Sequence, residues 1–140
     1  MKDPSSEILK SVYTLLNNNL VVDTVNYPVY SIVPNDIEYN YVHISGLNLT
    51  DNGTKDSYTS MVAILCDVVT GGFKNRGTWT IADSIANQLQ VLFVRKNLTF
   101  TNFKTSVLPF LESNLQLEEK TDTGLILRKE LRYIFSVQQI

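Results

Sequence analysis

This sequence predicts an α+β fold: an antiparallel sheet with two helices packed on one face, in the order α-β-β-β-α-β-β, closing with a long β-hairpin. Three observations carry the prediction. Two segments, near residues 4–16 and 80–93, repeat apolar residues every three or four positions; the other long segments alternate at period two; and an Asn-Gly pair at 52–53 and a polar KTDTG run at 120–124 sit between strand-like stretches. A chain of 140 residues is the size of one core, so a single domain, 1–140, is expected.

The first helix opens with Asp3 as N-cap, Pro4 at its first position and Glu7 in its first turn; Ile8, Val12, Leu15 and Leu16 form its stripe, and Asn17-Asn18-Asn19 ends it. From 20 to 39 Pro28 and Pro34 permit short extended pieces, of which VYSIV at 29–33 reads as a small strand. Tyr39 to Leu49 is a strand with Val42 and Ile44 on one face and Tyr39, Tyr41 and His43 on the other. Leu47 and Leu49 follow in the opposite phase, so a bulge is expected at Gly46. The TDNGT turn at 50–54 makes the next strand, about 57–70, antiparallel. Both faces of that strand are apolar, which predicts a central position covered on both sides by helix, sheet or another subunit.

The second helix has Thr80 as N-cap, Asp83 three residues on, and a stripe of Ile81, Ile85, Leu89, Leu92 and Phe93, with Trp79 packing back on it. In the closing hairpin Phe103, Thr105, Val107, Pro109, Leu111, Ser113, Leu115 and Leu117 are expected on one face, with Leu125, Leu127, Leu131, Tyr133, Phe135 and Val137 on the corresponding face after the turn. The opposite face carries Lys104, Glu112, Asn114, Gln116, Glu118, Arg128, Glu130, Arg132 and Gln138, interrupted by Leu108, Phe110, Ile126 and Ile134. Pro109 cannot donate to a ladder, so its strand is an edge, bends there or starts there.

Composition removes several function classes. Twelve cations against 14 acids leave a formal charge of -2, too little to gather nucleic acid or anionic lipid except at a local patch. The one cysteine, Cys66, cannot form an internal disulfide, and MKDPSSE has no apolar export segment, so synthesis in the cytoplasm is expected. No run approaches the roughly 18 apolar residues of a membrane span, and the triplets starting at Asn48, Asn52 and Asn97 are chance matches to a glycosylation pattern.

Catalytic constellations fail one by one. GGFKNRGT at 71–78 has Lys74 before Asn75 and matches no phosphate-loop spacing; it reads as a surface connection, or a partner-contacting loop, that presents Phe73, Lys74, Asn75 and Arg76. His43 is the only histidine, and a dyad would need Cys66, which sits among apolar residues where a thiol is inert. Glu118 and Glu119 point to opposite faces, Asp36 and Glu38 lie in a loop without a placed partner, and Asp51-Asn52-Gly53 lacks the rest of a calcium loop. No cofactor and no metal are expected.

What remains is surface. Tyr39, Tyr41 and His43 make a polar-aromatic strip suited either to a half-covered strand or to subunit contact. Arg128 and Arg132, with Lys104 across from them, can pair with Glu112, Asn114 or Glu118 or with a neighbouring subunit. Leu108, Phe110, Ile126 and Ile134 need a cover that two helices do not obviously supply, which points to an identical subunit.

The segments VYTLLNNN (12–19), PVY (28–30), YNYVHISG (39–46), YTSMVAILCDV (58–68), TIADSIANQLQVLF (80–93), NLQLEE (114–119) and ILRKELRYIFSV (126–137) stand in an order that resembles the small tail-completion or tail-terminator proteins of tailed bacteriophages. The resemblance covers nearly the whole chain and is one of element order. It implies a non-enzymatic structural protein of the virion tail or neck. Such a protein closes a homo-oligomeric ring, hexamer or dodecamer, around a channel that passes DNA without reading its sequence, and meets the tail tube and neck or portal-adaptor proteins. A head-side adaptor contacting the portal, or in a different class a small ligand-binding protein or enzyme, are the alternatives. Under the resemblance Tyr39, Tyr41, His43, Arg128 and Arg132 become subunit contacts, and Phe73, Lys74, Asn75 and Arg76 an axial contact.

Overall fold

The computed structural model describes residues 3–53, 58–73, 79–98, 100–122 and 124–140. Its elements are α1 (Ser5–Leu16), β1 (Val21–Val22), β2 (Val25–Asn26), β3 (Val29–Tyr30), β4 (Tyr41–Asp51), β5 (Thr59–Phe73), α2 (Thr80–Phe93), β6 (Phe103–Thr121) and β7 (Gly124–Gln139). The α+β class is as predicted. One sheet runs β3-β4-β5-β7-β6, and β1 and β2 pair separately.

Asp3 is not the N-cap of α1: Pro4 holds that position, one residue later than expected, and has no side-chain cap. Asp3 lies outside it, where its Oδ1 accepts the Ser5 hydroxyl at 2.6 Å and the Ser5 backbone N–H at 2.9 Å. Those two bonds, the hydroxyl's first, hold the Asp3 carboxyl below its ordinary pKa. At the other end Asn18 takes a positive φ of 63° and the Asn19 side-chain amide donates to the Leu15 carbonyl at 2.9 Å, so the asparagine run does stop the helix. The β1–β2 hairpin was not expected. Asp23 and Thr24 both sit at positive φ, the conformation a tight two-residue hairpin needs, without the glycine that would have advertised it.

β3 pairs with β4 in parallel, whereas every other pairing in the large sheet is antiparallel. The expectation of a purely antiparallel sheet is corrected here. Residues 31–40 carry the chain back to the starting end of β3, so β4 runs beside it in the same direction. β4 has its irregularity between Ile44 and Gly46, which returns Leu47 and Leu49 to the core side.

β5 is central, between β4 and β7. Its Val62, Ile64, Cys66 and Val68 are fully buried against the helices, which contribute Ile8, Val12 and Leu16 from α1 and Ile85, Leu89 and Phe93 from α2. β7 supplies Leu131, Tyr133, Phe135 and Val137 to the same core, and Trp79 packs on it as expected. Thr80 is not an N-cap: α2 begins there after Trp79, with no side-chain cap. The Asp83 carboxylate is instead drawn to Lys129, a mostly buried cation projecting from β7 beneath the helix.

β6 is an edge strand, which accommodates Pro109. Its pairing with β7 slips between Thr105 and Val107, between Val107 and Phe110, and between Leu111 and Ser113. A one-residue slip sends each following side chain to the other face. The first two slips cancel, so Leu111 again opposes Tyr133; the third reverses the rest. The expected single apolar face is therefore wrong at Val107, which opposes Ser136 on the outer face, and again beyond Leu111. Leu115 and Leu117 oppose Glu130 and Arg128 on the outer face, while Asn114, Gln116 and Glu118 oppose Leu131, Lys129 and Leu127 on the helix side.

Candidate functional site

The sheet face turned away from the helices gathers most of the residues singled out from the sequence. Cross-strand pairing sets them in rows: Tyr41, Val69, Arg128 and Leu117; then His43, Asp67, Glu130 and Leu115; then Ala63, Ile134 and Phe110. The first row begins in an aromatic cluster. Tyr41 stacks with Tyr39 at 6.3 Å between centroids and meets Tyr30 edge-on at 5.9 Å, and His43 Nε2 lies 3.3 Å from the Ser31 carbonyl. Partial burial, and next the neighbouring Tyr39 hydroxyl, push the Tyr41 pKa above its ordinary value.

Arg128 is the electrostatic hub of this face. Its guanidinium donates to Asp67 at 3.0 Å and to Glu119 at 3.2 Å, joining β5, β7 and β6. Burial alone would weaken its charge, but the Asp67 and Glu119 carboxylates outweigh it and raise the guanidinium pKa. Asp67 is only 3% exposed, so Arg128 is what makes a carboxylate tolerable there. Asp67 was missed in the sequence, although a lone acid in an apolar central strand is itself a signal that a cation must reach it. Arg132 pairs with Glu112 at 2.5 Å, as the hairpin pairing allows. Lys104 opposes Gln138 and stands away from both arginines, contrary to the expected triple cation cluster.

The apolar candidates divide. Leu108 and Phe110 are exposed, Ile126 is half-buried, and Ile134, at 6% exposure, is buried between its cross-strand neighbours Ala63 and Phe110. Ile134 therefore needs no outside cover, a correction that follows from its place on the second strand from the edge. Val107, Leu115 and Leu117 join Leu108 and Phe110 as exposed apolar residues of β6. The second-face cover expected for β5 is supplied in part by the chain's own side chains: Ala63, Asp67 and Val69 are buried although the helices lie on the other side. Of the proposed axial residues, Phe73 ends β5 opposite Leu125, and Lys74, Asn75 and Arg76 lie outside the described residues.

Among the described residues, the sequence's one candidate Cys-His pair does not come together. Cys66 points into the core with Ile44 as its cross-strand partner, while His43 is on the opposite face, so no dyad forms. Burial, reinforced by the Asp67 charge, pushes the Cys66 thiol up to about 12. Among the described residues no three His, Cys, Asp or Glu side chains come together as a metal site, and no helix is long and apolar enough to cross a membrane.

No protein-family model matches the chain, and no curated protein matches it. A solved structure does: a chain of the "Virion of native gene transfer agent (GTA) particle" superimposes with a TM-score of 0.77 over 99% of this chain and 99% of that one, at 16% identity. The two share a fold.

Proposed function

We propose that the chain is a structural virion protein that forms a ring at a phage-like head-tail junction, terminating or joining the tail tube around the DNA channel. The observation that carries the proposal is the end-to-end fold correspondence with a chain of a virion particle. The edge strand supports it: Val107, Leu108, Phe110, Leu115 and Leu117 of β6 are all exposed, apolar side chains that a neighbouring subunit would cover. In this reading Tyr39, Tyr41, His43, Arg128 and Arg132, with Leu108, Phe110 and Ile126, meet neighbouring subunits, and Phe73, Lys74, Asn75 and Arg76 reach the axial partner. Since Arg128 and Arg132 are already paired within the chain, they offer a neighbour their stems and flat guanidinium faces more than free charge. The mildly acidic chain suits a conduit that passes a polyanion without arresting it.

Multi-angle light scattering of the purified chain, alone and mixed with the tail-tube and neck proteins of the same particle, tests the proposal. A mass of several subunits, free or on the partner, is expected. A monomer at every concentration that adds to neither partner overturns it. Which partner captures the ring separates the tail-side position from the head-side one.

A further inference from the structure

At the sheet edge opposite β6, beside β3, lies an open groove of about 530 Å³. Tyr27, Tyr30 and Tyr39 line it together with Pro28 and Pro34; among the described residues Asp36 and Glu38 are its charged residues, and no Lys, Arg or His takes part. Neither carboxylate has an ion-pair partner among the described residues. The rings are held in advance of any ligand. Tyr30 and Tyr39 both rest on Tyr41, and Tyr39 lies so close over Gly71 that a Cβ there would come within 2.9 Å of the ring. The next residue, Asn40, ties the same wall to β5 by accepting the Gly71 N–H at 3.2 Å.

We infer that this groove docks an extended segment of a partner protein that carries prolines and at least two lysines or arginines. Fixed aromatic rings beside prolines form the flat-walled trough into which a polyproline-type rib fits with little loss of entropy. The two unpaired carboxylates select a cationic segment, and a guanidinium can also lie over a tyrosine face. The same charges repel nucleic acid and anionic lipid. An open groove along a strand edge, where β3 has a partner on one side only, suits a chain better than an enclosed metabolite. The occupant is another protein and not a second copy, because this chain's prolines, at 4, 28, 34 and 109, never stand beside two cations. The inference does not depend on ring closure, since the groove belongs to one chain.

The test uses the full chain and a fluorescent synthetic peptide of alternating prolines and arginines carrying a photo-crosslinker. Its counterparts have glutamate for arginine or glycine for proline. Saturable anisotropy binding that weakens as salt rises is expected for the first peptide and not for the second, with weaker binding of the third. Crosslinks should map between Tyr27 and Asn40. The double variant Asp36→Asn, Glu38→Gln should bind about tenfold more weakly, with an unchanged melting temperature since both carboxylates are exposed. Tyr39→Ala should weaken binding comparably, and Lys104→Ala should leave it unchanged. Equal binding of the glutamate or glycine peptide, crosslinks elsewhere, or full affinity in the double variant overturns the inference.

Discussion

Arg128 and Arg132 are four residues apart on one strand face, yet the structure gives them different weights. Arg128 neutralises a carboxylate that is almost wholly buried, whereas the Arg132–Glu112 pair has 38% and 43% of its side chains exposed. Arg128→Ala should therefore cost about 3 kcal/mol in denaturant unfolding, because it strands Asp67, and Arg132→Ala no more than about 1 kcal/mol. Equal losses would show that Asp67 finds water or another donor. Cys66 makes a separate prediction in pH. Its thiol is raised from the ordinary 9.0 to about 12 in the folded state. Between those values the unfolded chain loses the proton and the folded chain keeps it. The stability it contributes is thus whole below pH 9.0 and is lost as pH rises towards about 12. Unfolding measured across that window should decline less steeply in Cys66→Ala, with the remaining slope shared by Tyr133, whose burial also raises its pKa. An unchanged slope would mean the thiol is not held as described.

Helix α2 is tied to the sheet by more than its apolar stripe. Lys129 is 8% exposed beneath it and Asp83, at 47%, reaches down from the first turn. Removing the acid leaves a buried cation, so Asp83→Ala should destabilise by on the order of 1–2 kcal/mol, reduced from a fully buried pair by solvent at the carboxylate. Lys129→Met removes the need for a partner and should lie within about 1 kcal/mol of the parent chain. If the methionine variant is the less stable of the two, the pair is a net stabiliser and not a tolerated charge. The same reasoning explains why the Thr80-Asp83 capping pattern misleads: a carboxylate beside a mostly buried ammonium gains more there than from its own helix's N–H groups.

The sheet as a whole is asymmetric. Its one edge, β6, is 19 residues long and exposed, and its other, β3, has two residues. A long open edge with apolar side chains is what a solitary domain avoids and an assembling one uses. Phe110→Ser combined with Leu115→Ser should lower the melting temperature by only several degrees, because the two residues are already 43% and 51% exposed and Phe110 gives up part of the cover of Ile134, and should abolish the multi-subunit mass in light scattering. Assembly that survives this pair of changes would move the subunit contact off β6.

The helices, the β4 bulge, the central place of β5 and the closing hairpin were all readable in advance. Each is written in a local period or a turn residue that nearby backbone chemistry enforces. Hydrophobic burial then leaves few ways to stack two amphipathic helices on one strongly apolar strand. The parallel β3, the face assignments at Val107 and beyond Leu111, the burial of Ile134 and the pairing of Asp67 with Arg128 depended on folding in three dimensions. They turn on where the chain crosses back and on slips around a proline whose size no local pattern specifies. The groove at Asp36 and Glu38 is of the same kind: two loop carboxylates became part of a surface only when tyrosines from β3 and from the approach to β4 were brought beside them.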